Sequence, residues 1–134
     1  MDFEQLLKAI DIGETCDCEF KSARGGFPDS FWPTYSGMAN TDGGIVFFGI
    51  KEKDLKFYIE GLSIDQIQLY QKILWDNLNN RSRVNRNLLT SHHVRTIQVG
   101  QKNILAIAIP KALRIEGPIY YWVISVREHI PSTS

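Results

Sequence analysis

An almost unbroken apolar segment, residues 45–50, follows a glycine pair in the first half of the chain. Side chains alternate between the two faces of a strand, so apolar residues at nearly every position predict a strand buried on both faces. Upstream, residues 31–39 carry aromatic side chains at helical spacing. The polar turn 40–44 ends that helix, because glycine readily adopts the left-handed cap conformation. We therefore expect a helix, a tight turn and a buried strand in succession, and we expect the rest of the chain to fold around that strand.

The remaining sequence predicts more strands and two further helices. A helix begins near Asp2 and ends near Gly13, and the Ser63/Gln66 capping box predicts a helix that continues to residue 78. We therefore predict a single α/β (α+β) domain over residues 1–134, with a mixed, mostly antiparallel sheet flanked by about three helices. The other predicted strands are residues 16–22, 57–60, 94–99 and 104–109, and a last apolar run covers residues 119–126.

Composition restricts the partners of this domain. Basic and acidic residues number 15 each, so no net field attracts nucleic acid, and polyanion binding has to come from a local patch. Cys16 and Cys18 lack the spacing of a zinc site and are expected to be reduced thiols. The acidic N-terminus lacks the layout of a signal peptide, and no apolar run approaches the length of a membrane span. We expect a cytoplasmic protein with no membrane partner.

Two carboxylates and a lysine lie near the beginning of the chain. Alternation along a strand places Glu19 and Lys21 on one face, and Glu14 precedes them by a few residues. These side chains are candidate catalytic residues: the glutamates as ligands of a divalent metal, and Lys21 as the group that stabilises charge on a phosphoryl oxygen. The alternative is an ordinary ion pair on a solvated strand face.

The densest basic stretch is residues 81–87, which contain three arginines and no acid. Basic clusters of this kind neutralise phosphates and make affinity depend on salt. The alternative is a solvated loop after a helix. Together with two basic residues nearer the N-terminus, these arginines are the predicted phosphate contacts: Lys21, Arg24, Arg81, Arg83 and Arg86.

These segments together resemble the AlbA-like DNA-binding domain that bacterial transcriptional regulators share with the Schlafen core. The resemblance extends to about residue 120, and its most specific part is the combination of Glu-Phe-Lys at 19–21 with Ala-Asn-Thr-Asp-Gly-Gly at 39–44. It implies an α/β fold that binds nucleic acid and that is often followed by further domains. The other matching pieces are Glu14, Trp32, residues 48–50, residues 61–62, residues 107–110 and residues 118–120.

The same resemblance implies a second activity. Some Schlafen members are metal-dependent ribonucleases that use three acidic residues, and two of these match Glu14 and Glu19. The third acid is expected directly after the buried strand, where Lys51 stands. Glu52 or Asp54 would have to replace it, and Asp54 is the metal ligand we select. A nuclease of this type would need Mg²⁺ or Mn²⁺, whereas no cofactor is expected otherwise.

Three hypotheses follow. The first is a nucleic-acid-binding domain of a bacterial transcriptional regulator, with DNA or RNA as its partner. The second is the metal-dependent endoribonuclease. The third is a homodimerisation or protein-interaction module, because the consecutive aromatic residues 120–122 put an aromatic ring on both faces of the last predicted strand.

Overall fold

The computed structural model describes residues 18–123. The predicted helix near residues 2–13, together with Glu14 and Cys16, lies outside the described residues. Two single turns of 3₁₀-helix, Ser91–His93 and Arg114–Glu116, accompany the regular elements. In chain order the elements are β1 (Cys18–Lys21), α1 (Phe31–Ala39), β2 (Gly44–Phe48), β3 (Ile50–Lys53), β4 (Lys56–Ile59), α2 (Ile64–Leu78), β5 (Val94–Val99) and β6 (Lys102–Ile109).

Four strands form the main sheet in the order β1-β2-β6-β5, and β3 and β4 form a separate two-stranded ribbon. Only the β1–β2 pair is parallel; β2–β6, β6–β5 and β3–β4 are antiparallel. The predicted α+β fold with a mixed, mostly antiparallel sheet is confirmed. The described residues contain two α-helices where about three were predicted for the whole chain. Neither is long and apolar enough to cross a membrane.

The main sheet is buried on both faces. One face, which carries Phe48 and Leu105, packs against α1 and α2. The opposite face, which carries Phe47 and Ile104, packs with residues of the ribbon. All four of these side chains are fully buried, and burying an aromatic or aliphatic side chain of this size contributes about 1.5–3 kcal/mol. The predicted two-faced burial of this strand is confirmed.

The predicted strand at residues 45–50 is interrupted at Gly49. This residue has a φ of 107°, which lies outside the regular β conformation, and a Cβ there would lie 3.1 Å from the Ile104 Cγ2 atom. Its N–H donates to the Lys21 carbonyl at 2.8 Å, and its carbonyl accepts from the Glu60 N–H at 2.8 Å. The chain therefore leaves the main sheet at Gly49 and continues as the ribbon.

The two helices begin differently. At α2 the predicted capping box is confirmed: the Gln66 N–H donates to the Ser63 Oγ at 3.1 Å, and the Ser63 N–H donates to the Gln66 Oε1 at 3.0 Å. At α1 the Ser30 side chain makes no capping hydrogen bond. The Ser30 Oγ instead accepts from the Lys21 Nζ at 2.9 Å, which ties the start of α1 to β1.

The turn after α1 joins distant parts of the chain. The Asn40 Nδ2 donates to the Ile119 carbonyl at 2.9 Å, and the Asn40 Oδ1 accepts from the Ile119 N–H at 2.8 Å. The Gly43 N–H donates to the Met38 carbonyl at 2.7 Å. A Cβ at Gly43, whose φ is 78°, would lie 2.6 Å from the Ile109 carbonyl oxygen. These contacts give the turn a structural role that accounts for its glycine and its asparagine.

Candidate nucleic-acid interface

The side chains of Glu19 and Lys21, both on β1, contact the beginning of α1. The Lys21 Nζ is 3.0 Å from the Glu19 Oε2, and that oxygen also accepts from the Thr34 Oγ1 at 2.5 Å. The side chains of Lys21 and Glu19 are only 12% and 33% exposed. The pair is therefore partly buried against the first turn of α1, whereas the sequence suggested a solvated ion pair or an open catalytic face.

Burial raises the pKa of the Glu19 carboxyl, but the hydrogen bonds from Thr34 and Lys21 and the charge of Lys21 lower it more, so its pKa lies below the usual value. Glu19 is consequently ionised at neutral pH and already has partners. Lys21, which was predicted to contact phosphate and to assist catalysis, is held by Glu19 and by Ser30. Its ammonium group therefore already has two partners within the protein, and the phosphate contact of Lys21 stays a prediction.

The predicted metal ligands do not form a site within the described residues. Between residues 18 and 123, no three His, Cys, Asp or Glu side chains are close enough together to hold a metal ion. Glu19 lies on β1 and accepts a hydrogen bond from Thr34 of α1, whereas Asp54 lies in the exposed turn between β3 and β4. Glu14, the remaining predicted ligand, lies outside the part of the chain that the structure describes.

The predicted arginine cluster is divided by the fold. Arg81 and Arg86 are exposed and line a small groove of about 440 Å³ near the end of α2. Arg83 is only 7% exposed: its guanidinium lies 5.3 Å from the ring centroid of Trp32 and donates to the Trp122 carbonyl at 2.8 Å. These cation–π and hydrogen-bond contacts leave little of the Arg83 side chain accessible, so they do not favour the phosphate contact that the sequence predicts for it.

A larger groove lies between the β3–β4 ribbon and the beginning of α2. It has a volume of about 840 Å³. Its walls carry two acids, Asp54 and Glu60, against four basic residues, so the local charge is positive although the whole chain is neutral. We call this the basic groove, and its basic residues are Arg24, Lys51, Lys53 and Lys102.

Glu60, one of the two acids of the basic groove, already has hydrogen-bond and ion-pair partners. Glu60 is 12% exposed; it accepts a hydrogen bond from the Ser22 hydroxyl, and its Oε2 lies 3.6 Å from the Arg24 Nη1. Arg24 itself is 77% exposed. The Lys102 Nζ donates to the Ile59 carbonyl at 2.9 Å. The Glu60 carboxylate is therefore largely buried, whereas the guanidinium of Arg24, which pairs with it, remains accessible to an anion.

Sequence reasoning found Arg24 but missed the three lysines of the basic groove. Residues 51–54 lie outside the strands that the sequence predicts, whereas residues 50–53 form a strand in which Lys51 and Lys53 share one face. That alternation was the available signal. Lys102 had no comparable signal, because β6 brings it to the groove from a distant part of the sequence.

Comparison with known proteins identifies the family. A family model described as Schlafen, AlbA_2 matches residues 14–126. The chain belongs to the Schlafen AlbA_2 family. This result confirms the resemblance inferred from the sequence motifs. Within residues 39–44 of that resemblance, which we call the family signature, Asn40 ties the end of α1 to Ile119, and Gly43 lies against the backbone of Ile109.

Two solved structures share this fold. One is the N-terminal domain of a protein from Nitrosomonas europaea related to the ATP-dependent DNA helicase RecG; it is 24% identical, the match covers 92% of this chain and 81% of that one, and the TM-score is 0.71. The other is the DIP2311 protein from Corynebacterium diphtheriae, with 19% identity, 90% and 28% coverage and a TM-score of 0.54. No curated protein sequence is significantly similar to this chain.

Proposed function

We propose that this Schlafen AlbA_2 domain binds nucleic acid in the basic groove, with Arg24, Lys51, Lys53 and Lys102 contacting phosphates. The observation that carries the proposal is the clustering of these four basic side chains around one groove in a chain of zero net charge. A polyanion gains most from such clustering, because each neutralised phosphate releases condensed counterions. The family membership and the resemblance to DNA-binding regulators support the same partner.

The ribbon also offers an aromatic surface to this groove. Tyr58, which is 47% exposed, is the cross-strand partner of Lys51 and shares its face. An exposed aromatic ring beside a lysine suits a nucleotide, because the ring can stack on a base or pack against a sugar while the ammonium pairs with a phosphate. This arrangement supports nucleic acid over a small inorganic anion as the ligand.

The test is a fluorescence-anisotropy titration of labelled duplex and single-stranded oligonucleotides at several salt concentrations. We expect the logarithm of the affinity to fall linearly with the logarithm of the salt concentration, with a slope of about −0.9 per contacted phosphate on duplex DNA. The double variant Lys51→Ala/Lys53→Ala should reduce this slope by about 2. Binding that is absent at low salt, or that ignores both salt and the double variant, would refute the proposal.

The chain offers matched controls. Lys111 follows β6 at the end opposite Lys102, about 25 Å away along the strand, so Lys111→Ala removes the same charge far from the basic groove and should leave the slope unchanged. Arg81 and Arg86 lie at the far end of the 15-residue helix α2, about 21 Å from its beginning. If Arg81→Ala/Arg86→Ala produced the entire loss instead, the interface would lie there.

A metal-dependent nuclease is a second proposal, which one observation favours. The carboxylate of Glu19 is held in its ionised form, as a metal ligand must be. Lys21 and Thr34 already occupy this carboxylate, however, and the described acids do not converge. We therefore place the nuclease second. It would require Mg²⁺ or Mn²⁺ and a contribution from Glu14.

We also propose that the domain serves in a cytoplasmic bacterial transcriptional regulator that includes further domains. Its support is the resemblance to regulators, together with two structural relatives: one is an N-terminal domain, and only 28% of the other is matched. A reporter gene that does not respond when the full-length protein is deleted would exclude the regulator.

We also propose a homodimer, which is supported by exposed apolar side chains at Tyr120, Trp122 and Val123. Light scattering over a range of concentrations tests the dimer, and a constant monomer mass would exclude it.

A further inference from the structure

The tip of the β3–β4 ribbon has an unusual side chain in an unusual conformation. Asp54 and Leu55 form its two-residue turn, and both have positive φ, 53° and 66°. Two-residue turns of this type favour glycine at the second position, because other residues are strained there. Leu55 occupies that position and is 91% exposed. Neither the backbone conformation nor the exposure to water favours a leucine here. Folding therefore does not account for this side chain, and we look for a functional reason.

The tip projects from the body of the protein. Ile50, at the base of β3, is buried in the second core cluster, and Ile59 at the base of β4 packs against it. Residues 51–56 are all exposed. Phe57, the cross-strand partner of Glu52, packs against Phe20 of the second cluster, so only the Lys53/Lys56 pair and the turn lie beyond the core. The free part of the ribbon therefore extends about 7 Å, two residues at about 3.4 Å each. The base is anchored in the core, so the tip is a protrusion on a fixed support.

Lysines surround the tip on one face of the ribbon. Lys53 and Lys56 are direct cross-strand partners, and like charges in this position repel one another. Lys51 lies on the same face, whereas Glu52 lies on the opposite face. An anion beside the tip would relieve the repulsion between Lys53 and Lys56. The ligand that fits has closely spaced negative charges outside and an apolar interior within reach of Leu55.

We propose that the ribbon tip inserts Leu55 between base pairs of double-stranded DNA held by the basic groove, and bends the duplex there. Apolar side chains of minor-groove-binding proteins unstack base steps in this way. The minor groove is about 7.5 Å deep, so a projection of about 7 Å brings the side chain of Leu55 to the bases while Lys53 and Lys56 pair with phosphates. This inference rests on the proposed nucleic-acid binding and adds deformation of a duplex to it.

The test compares the full chain with the Leu55→Gly variant. Glycine suits the turn, so this variant should unfold at a higher denaturant concentration than the wild type, and a loss of DNA deformation cannot then be attributed to misfolding. The control is Ile115→Ala, because Ile115 is similarly exposed at 89% and lies outside the ribbon. The DNA is a duplex of about 20 base pairs that carries 2-aminopurine at internal AT-rich steps and a donor–acceptor pair at its ends.

We expect the wild type and Ile115→Ala to raise 2-aminopurine fluorescence at least twofold and to increase energy transfer between the ends. Leu55→Gly should bind with the same salt slope, at an affinity reduced by no more than about tenfold, and produce neither signal. Duplex binding without these signals in the wild type, or with equal signals in Leu55→Gly, would overturn the inference and leave the proposed function intact. Absence of any nucleic-acid binding would overturn both. Binding that depends on Leu55 only with vesicles of phosphatidylserine and phosphatidylcholine would assign the tip to membranes and overturn the inference.

Discussion

Replacing Gly43 by alanine should destabilise the domain severely, because the family signature performs a structural task at this position. The new Cβ would lie 2.6 Å from the Ile109 carbonyl oxygen and 3.0 Å from the Lys111 nitrogen. Both are backbone atoms, so they cannot rotate away as the end of a side chain would. The φ of 78° adds a second penalty, since a left-handed conformation costs a residue with a Cβ about 1–2 kcal/mol.

Overpacking a tight site costs about 1–3 kcal/mol more, so the Gly43→Ala variant should lose about 2–5 kcal/mol of its free energy of unfolding. That is a large share of the roughly 5–15 kcal/mol that stabilises a domain. In urea, with an m-value near 2 kcal/mol/M, the unfolding midpoint should fall by about 1–2.5 M. The measurement is urea unfolding followed by tryptophan fluorescence and circular dichroism.

Gly25→Ala is the matched control. No heavy atom lies within 4 Å of a Cβ at Gly25, and its φ is outside the left-handed region. Its midpoint should therefore stay within about 0.5 M of the wild type. If Gly43→Ala unfolded at the same urea concentration as Gly25→Ala, the backbone contact at Gly43 would not be tight. The structural explanation of the signature would then fail.

Three further predictions follow from the electrostatics. Glu60→Gln should tighten DNA binding about threefold or more, because it removes an acid from the basic groove and releases Arg24; unchanged anisotropy curves would contradict this. Burial raises the pKa of Tyr35 to about 12 from its usual 10, so the folded state keeps its proton longer than the unfolded state. The free energy of unfolding should therefore fall as the pH rises from 10 to 12, and Tyr35→Phe should lose that dependence in urea titrations. Structured RNA incubated with Mn²⁺ should stay equally intact with the wild type and with Glu19→Gln, whereas cleavage by the wild type alone would establish the nuclease.

Features determined by neighbouring residues were predictable from the sequence. The Ser63/Gln66 capping box depends on side chains three positions apart, and both of its hydrogen bonds are present. The buried strand was predictable because its apolar residues serve both faces of the main sheet. The break at Gly49 was not predicted, since the apolar pattern continues through Ile50, which is buried in the second cluster instead. Hydrophobicity reports burial, and it does not say which sheet a residue joins.

The candidate site was harder to predict because charge alone does not reveal exposure. Arg81 and Arg86 are exposed as expected, whereas Arg83 is buried against Trp32, a contact between residues far apart in sequence. Glu19 and Lys21 lie on one strand face as alternation requires, but both side chains are partly buried and have partners in or next to α1. Local spacing thus gives the direction of a side chain, and only the tertiary fold decides whether a ligand reaches it.

In this chain, the signature residues that close the fold are different from the residues that line the basic groove. Asn40 and Gly43 of the signature make contacts that close the fold, while Arg24, Lys51 and Lys102 of the basic groove come from positions outside the matching motifs. It follows that substitutions in the signature should lower stability and binding together, whereas substitutions in the groove should lower binding at unchanged stability. The two kinds of residue can be separated by measuring both properties in the same variants.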